Sequence, residues 1–141
     1  MERVAVIGSG VMGGGIAAHL ANAGVEAELL DIVPEGAEDR DMLARGAIAR
    51  LHKTKPAPLM HANFAERIRP GNLNDHLERV SEADWIVEAV LEDLNIKQKV
   101  FRDLEKVRKD GSIVSSNTST IPRAQLVAGM SKRFERDFLI T

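Results

Sequence analysis

Short apolar runs alternate with helical stripes along this chain. Arg3-Val4-Ala5-Val6-Ile7 is apolar, β-branched and halted by Gly8, the pattern of a strand buried on both faces of a parallel sheet. Ile16, Ala17, Leu20 and Ala21 then recur at helical spacing before Gly24, which predicts a first helix with a glycine stop. Val25 to Ile32 predicts a second strand ending near Asp31, and the three elements complete a βαβ unit of about 30 residues. Pro34-Glu35-Gly36 opens an Ala-rich, charged stretch reaching Lys55, with Met42 or Leu43, Ala47, Ile48 and Leu51 on one face. That is the pattern of an amphipathic helix.

Residues 59 to 82 show little periodicity. Within them Ile68-Arg69-Pro70-Gly71-Asn72 is expected to form a short edge strand, because proline is tolerated mainly at sheet edges. Asp84 to Val90 predicts a strong strand, and Ile96, Val100, Leu104 and Val107 predict a long charged helix that Gly111 breaks. Ser112 to Ser116 follows as a strand, Arg123 to Met130 as a shorter helix, and Phe138 to Thr141 as a final apolar run. Strands alternating with helices predict an α/β fold, a doubly wound and mostly parallel sheet with helices on both faces.

Composition narrows the picture without redirecting it. The 141 residues suit one domain. Hydrophobic residues at 44% and charged residues at 28% argue against disorder and against a membrane protein. A formal charge of -2 gives no electrostatic reason to expect nucleic acid or an anionic membrane as a partner. The absence of cysteine excludes disulfides and thiolate metal sites, and no metal is expected. Met1 to Arg3 leads straight into the first strand with no export or transit signal, so a cytoplasmic location is the default expectation. The last apolar run carries no polar tail, so the chain is expected to be a piece of something longer.

Chemistry concentrates at Gly8-Ser9-Gly10-Val11-Met12-Gly13, a G-x-G-x-x-G placed between a predicted strand and a predicted helix. Gly8 is expected to make the tight turn, Gly10 to admit a pyrophosphate against the backbone, and Gly13 to let helix and strand pack closely. Asp31, at the end of the next strand, is placed to accept hydrogen bonds from a ribose diol and would repel a 2′-phosphate. The expected ligand is therefore NAD rather than NADP, held by Gly8, Ser9, Gly10, Val11, Met12, Gly13, Asp31 and Ile32. The bland alternative is a glycine-rich turn with no ligand, but each such glycine weakens a helix start by about 1 kcal/mol relative to Ala. Two further polar clusters should reach the same crevice: Glu88 to Lys97, and Ser115 to Thr120. Taken alone they serve equally well as a solvated first turn and a series of helix caps.

Taken together, Val6 to Ala17, Ala83-Asp84-Trp85-Ile86-Val87-Glu88-Ala89-Val90-Leu91-Glu92-Asp93-Leu94 and Ser116-Asn117-Thr118-Ser119 resemble the amino-terminal NAD-binding domain of the L-3-hydroxyacyl-CoA dehydrogenases. The resemblance runs over nearly the whole chain and implies a Rossmann-type domain over residues 1–141 and a role in fatty-acid β-oxidation. It implies that Glu88, Ala89, Val90, Glu92 and Lys97 face the cofactor, and that Asn117 and Ser119 approach nicotinamide and acyl-CoA. It puts Lys53 and Lys55 near the CoA phosphates, although a basic helix end is also what the helix dipole favours. In that family a histidine takes the 3-hydroxyl proton, work that suits histidine near neutral pH. That histidine opens a His-Phe-Phe-Asn-Pro segment that this chain lacks, as it lacks the helical carboxyl-terminal domain. NAD binding without turnover is therefore expected of the chain by itself, with homo-oligomers possible through the missing domain's exposed face. His19, His52, His61 and His76 match no catalytic position and are expected at the surface. The alternatives are another NAD-dependent 3-hydroxyacid dehydrogenase and a non-catalytic NAD-binding module.

Overall fold

The computed structural model describes residues 1–141. Strands Arg3–Ile7 (β1), Glu26–Asp31 (β2), Ile68–Asn72 (β3), Trp85–Glu88 (β4), Ile113–Ser116 (β5) and Phe138–Ile140 (β6) form one sheet in the order β3-β2-β1-β4-β5-β6. Every neighbouring pair is parallel, so the expected doubly wound sheet contains no antiparallel strand. Five helices accompany it: Val11–Asn22 (α1), Met42–Lys53 (α2), Leu94–Val107 (α3), Arg123–Leu126 (α4) and Lys132–Asp137 (α5). The chain winds outward from β1 to β3, then returns to the other side of β1 for β4 to β6. The reversal leaves a crevice beyond the carboxyl ends of β1 and β4, where open α/β sheets bind ligands.

Alternation along β1 explains why its sequence is apolar throughout. Val4 and Val6 pack with Ala17, Ala21, Ala47 and Leu51 of α1 and α2 on one face. Ala5 and Ile7 pack with Phe101 and Leu104 of α3, and with Phe134 and Phe138, on the other. These four residues of β1 are fully buried, and only Arg3 at its start is not. Phe101, Phe134 and Phe138 lie with ring centroids 5.1 to 5.7 Å apart, each pair worth about 0.5–1.5 kcal/mol beyond area burial.

The structure departs from the expected elements in three places. The second helix starts at Met42 rather than just after Pro34. Ahead of it the Asp39 carboxylate accepts the Asp41 N–H at 3.0 Å and pairs with Arg45, a local side-chain bond of the kind that competes with helix. The helix from Arg123 stops at Leu126, a turn with Gly129 at φ 78° follows, and Ser131 caps α5 by accepting the Phe134 N–H at 3.2 Å. Only Phe134 is buried among the six residues of α5, so no periodicity announced it. Finally, His19, His52 and His61 are exposed as expected, but His76 is half-buried: its Nδ1 accepts the Asn72 N–H at 3.0 Å. The edge strand does form, with Pro70 on β3, which pairs only with β2. No helix is long and apolar enough to cross a membrane.

Candidate dinucleotide site

Beyond β1 the backbone turns sharply at Gly8, whose φ of 101° is a left-handed value that favours glycine. The Gly8 N–H donates to the Leu30 carbonyl and the Ala89 N–H to the Ile7 carbonyl, both at 2.8 Å. A Cβ on Gly8 would lie 2.5 Å from the Ala89 oxygen, and one on Gly13 would lie 1.8 Å from the Gly8 oxygen. The protein's own backbone therefore demands glycine at both positions. Gly10 is different: at φ -66°, a Cβ there would meet nothing within 4 Å. Gly10 is also the N-cap of α1, with no side-chain cap and no acid in the first turn. The first-turn N–H groups and the positive end of the helix dipole are thus left for an anion.

Asp31 closes the turn from the neighbouring strand. Its Oδ2 accepts the Ser9 N–H at 2.6 Å and the Ser9 hydroxyl at 2.5 Å, while Oδ1 accepts the Ile32 N–H at 2.7 Å. All three donors are neutral, and the half-buried carboxylate keeps lone pairs for a ligand. Gly8, Ser9, Gly10, Asp31, Ile32, Ala89 and Val90 line one cavity of about 610 Å³, within the size range of small-molecule sites. Leu73, Asn74, Leu77, Leu91, Ile96, Lys99, Val100 and Asp103 complete its walls.

The remaining expected site residues divide. Val11, Met12 and Asn117 line a second groove of about 390 Å³, shared with Ile16, His19, Trp85 and Thr141. Gly13 is buried beneath the turn. Glu88 and Lys97 are 0% and 1% exposed and pair with each other at 2.6 Å. Glu88 also accepts the Val90 N–H at 2.7 Å and the Ser116 hydroxyl at 2.5 Å. The pair thus lies below the crevice floor, joining the ends of β4 and β5 to α3. Glu92 accepts from the Thr118 hydroxyl and the Ser119 N–H. The Thr118 bond, with Lys97 nearby, holds its carboxyl below the usual glutamate range despite slight desolvation. Ser119 is exposed beside it, and Lys53 and Lys55 are exposed and line neither cavity.

Sequence reasoning missed the far wall of the first cavity. Ile96, Lys99, Val100 and Asp103 carried a signal, an i, i+3, i+4, i+7 face of α3. Leu73, Asn74 and Leu77 follow β3, and only the placement of β3 beside β2 brings them to the crevice. Arg50 was also missed: it reaches from α2 to the Ser9 carbonyl at 3.0 Å.

A glycine turn at the topological reversal, an acid at the next strand end and a cavity joining them define a dinucleotide-binding α/β domain. Residues 3–140 match the family model described as 3-hydroxyacyl-CoA dehydrogenase, NAD binding domain, and the chain belongs to that family. Its cofactor is NAD. The chain is 47% identical over 155 residues to a probable 3-hydroxyacyl-CoA dehydrogenase of Bacillus subtilis, covering 100% of this chain and 20% of that protein. It is 37% identical over 141 residues to a putative fatty acid oxidation complex trifunctional enzyme of Rickettsia felis, again covering 100% and 20%. The crystal structure of FadB2 from M. tuberculosis superposes with a TM-score of 0.77 at 29% identity, covering 99% of this chain and 48% of that one. The chain thus spans about a fifth of the length of these two curated relatives.

Proposed function

We propose that this chain is the cofactor-holding domain of an enzyme that oxidises L-3-hydroxyacyl-CoA to 3-oxoacyl-CoA in fatty-acid β-oxidation. The observation that carries the reading is the open space at Gly10 above an uncapped α1, with Asp31 at the far side of the same cavity. The names of the two relatives, a 3-hydroxyacyl-CoA dehydrogenase and a fatty acid oxidation enzyme, supply the substrate class. NAD, when bound, supplies the acceptor for the hydride that leaves carbon 3. This chain's residues hold and orient. The N–H groups after Gly10 take the pyrophosphate, Asp31 takes the adenosine ribose, and Ile32, Val90 and Ile96 take the adenine. Asn117, in the second groove with Val11 and Met12, is assigned to the nicotinamide side, and Glu92, which accepts the Ser119 N–H, is assigned to the cofactor with Ser119 toward the acyl-CoA. Lys53 and Lys55 are assigned to the CoA phosphates on the strength of the family resemblance and their exposure.

Removal of the 3-hydroxyl proton needs a base. His52, His61 and His76 line neither groove, and His19, which does line the second, matches no catalytic position of the family; we therefore assign the role to a histidine in the further length that a complete enzyme of this family carries. Calorimetry with NAD and NADP, followed by an NADH absorbance assay with 3-hydroxybutyryl-CoA, tests the reading. NAD should bind more tightly than NADP, and the chain by itself should form no NADH. Preference for NADP, or no binding of either, would overturn the assignment.

A further inference from the structure

The geometry points to Arg50 as a positioning residue for the phosphate-binding turn, an inference that rests on the NAD-binding reading above. Ser9 is 3% exposed and held from both sides of its peptide chain. Its N–H and hydroxyl donate to Asp31, and its carbonyl accepts from the Arg50 Nη2 at 3.0 Å, across 41 residues of sequence. In a trans peptide the carbonyl and the following N–H point in opposite directions. Arg50, by fixing the Ser9 carbonyl toward α2, therefore turns the Gly10 N–H away from α2, toward the side on which Gly10 lines the cavity. A flexible peptide at this point would have to be ordered each time a pyrophosphate binds, and ordering on binding weakens affinity.

Nothing about the fold itself requires this arginine. It is exposed on the last turn of α2, where a basic residue already suits the helix dipole, and it forms no ion pair with any carboxylate. Its guanidinium gives up side-chain freedom to meet one carbonyl of the glycine turn, and that carbonyl belongs to the residue that also grips Asp31. The three residues Arg50, Ser9 and Asp31 thereby connect the ribose-binding acid to the phosphate-binding peptide.

The test compares Arg50→Ala and Arg50→Lys with the unaltered chain, reading calorimetric affinity for NAD, ADP-ribose and adenosine together with the melting temperature. Arg50→Ala should weaken NAD and ADP-ribose by about tenfold, the cost of ordering one freed peptide on binding, and leave adenosine and the melting temperature nearly unchanged, because water replaces the exposed guanidinium at the Ser9 carbonyl. Arg50→Lys, which keeps a donor of nearly the same reach, should recover most of the loss. Equal weakening of adenosine, a fall in melting temperature that accounts for the loss, no recovery with lysine, or no change in any ligand would each overturn the proposal. If the unaltered chain bound no NAD, the dinucleotide reading itself would fail, whatever the variants did.

Discussion

Strands β2 and β4 flank β1, and each ends in an acid, yet Asp31 and Glu88 are put to opposite uses. Asp31 faces the cavity and is held by three neutral donors, the Ser9 N–H, the Ser9 hydroxyl and the Ile32 N–H. Glu88 is sealed under the floor, where the Lys97 ammonium reaches it at 2.6 Å from the first turns of α3. A strand-end carboxylate at the carboxyl edge of a parallel sheet is thus not a binding group by position alone. It remains available to a ligand when its partners are neutral and the carboxylate itself is only half-buried, and it becomes part of the framework when the next helix supplies a cation. A buried charge is costly unless it is paired, so Glu88 and Lys97 require each other.

The contrast predicts different penalties for the two sites. Glu88→Gln would leave the Lys97 ammonium buried without a counter-charge and should cost about 3–5 kcal/mol of folding stability, read by thermal or urea unfolding. Adding Lys97→Met to that variant should restore part of the loss, and an unchanged melting point in Glu88→Gln would abolish the distinction drawn here. Asp31→Ala should act mainly on ligand: loss of charged hydrogen bonds of about 1.5–3 kcal/mol corresponds to roughly 10- to 100-fold weaker NAD binding. Because Asp31 also steadies Ser9, some melting-point loss is expected, but less than in Glu88→Gln, and the reverse order would make Asp31 a structural acid.

Gly10→Ala sharpens the comparison further, since no protein atom lies within 4 Å of the added Cβ. It should leave stability nearly unchanged, because a gain of about 0.4–1 kcal/mol from a stiffer unfolded chain is offset by the poorer fit of alanine at the N-cap of α1. Its NAD affinity should fall about tenfold or more, for the price of one close approach between phosphate and backbone. A marked drop in melting temperature would show that glycine serves the fold there.

The smallest effect concerns acid. Arg40 and Asn72 hold the Asp75 carboxyl down to about 2, beside the turn that brings Leu73 and Leu77 to the cavity. A depressed carboxyl stabilises the folded state above its unfolded value, about 3.9. That contribution is lost as pH falls from there toward about 2. Melting temperatures measured from pH 7 downward should therefore show no Asp75 component above about pH 5, and Asp75→Asn should flatten the decline below it. A difference between the two proteins' slopes already present at pH 6 would contradict this.

Legibility from sequence tracked the distance over which each feature is determined. The strand, glycine turn, helix and second strand through Asp31 were readable because hydrophobic period, the positive φ of Gly8 and the approach of Gly13 to the Gly8 carbonyl all act within one βαβ unit, although Gly8 is also crowded by the distant backbone of Ala89. Pro70 marked β3 as an edge strand for a local reason, its missing N–H. The α5 helix escaped notice because a single apolar residue, Phe134, anchors it. Lys97 gave a polar signal on an amphipathic helix, and nothing local distinguishes a lysine facing a cofactor from one buried on a carboxylate of the previous strand. His76 looked like a surface histidine although its donor, the Asn72 N–H, is only four residues away, because no periodicity marks that turn in the sequence.

Local sequence set the alternation of strands and helices, the sharp turn at Gly8 and the acid that follows it. Hydrophobic period and backbone φ act over a few residues, whereas the close approach of Ala89 to Gly8 came only with the packed sheet. Packing settled which acid stays open and which is sealed, which helix face walls the cavity, and that Arg50 meets Ser9 across 41 residues. Those outcomes depend on where a parallel sheet brings its strand ends together, because burial and charge pairing belong to the packed chain and not to any one segment of it.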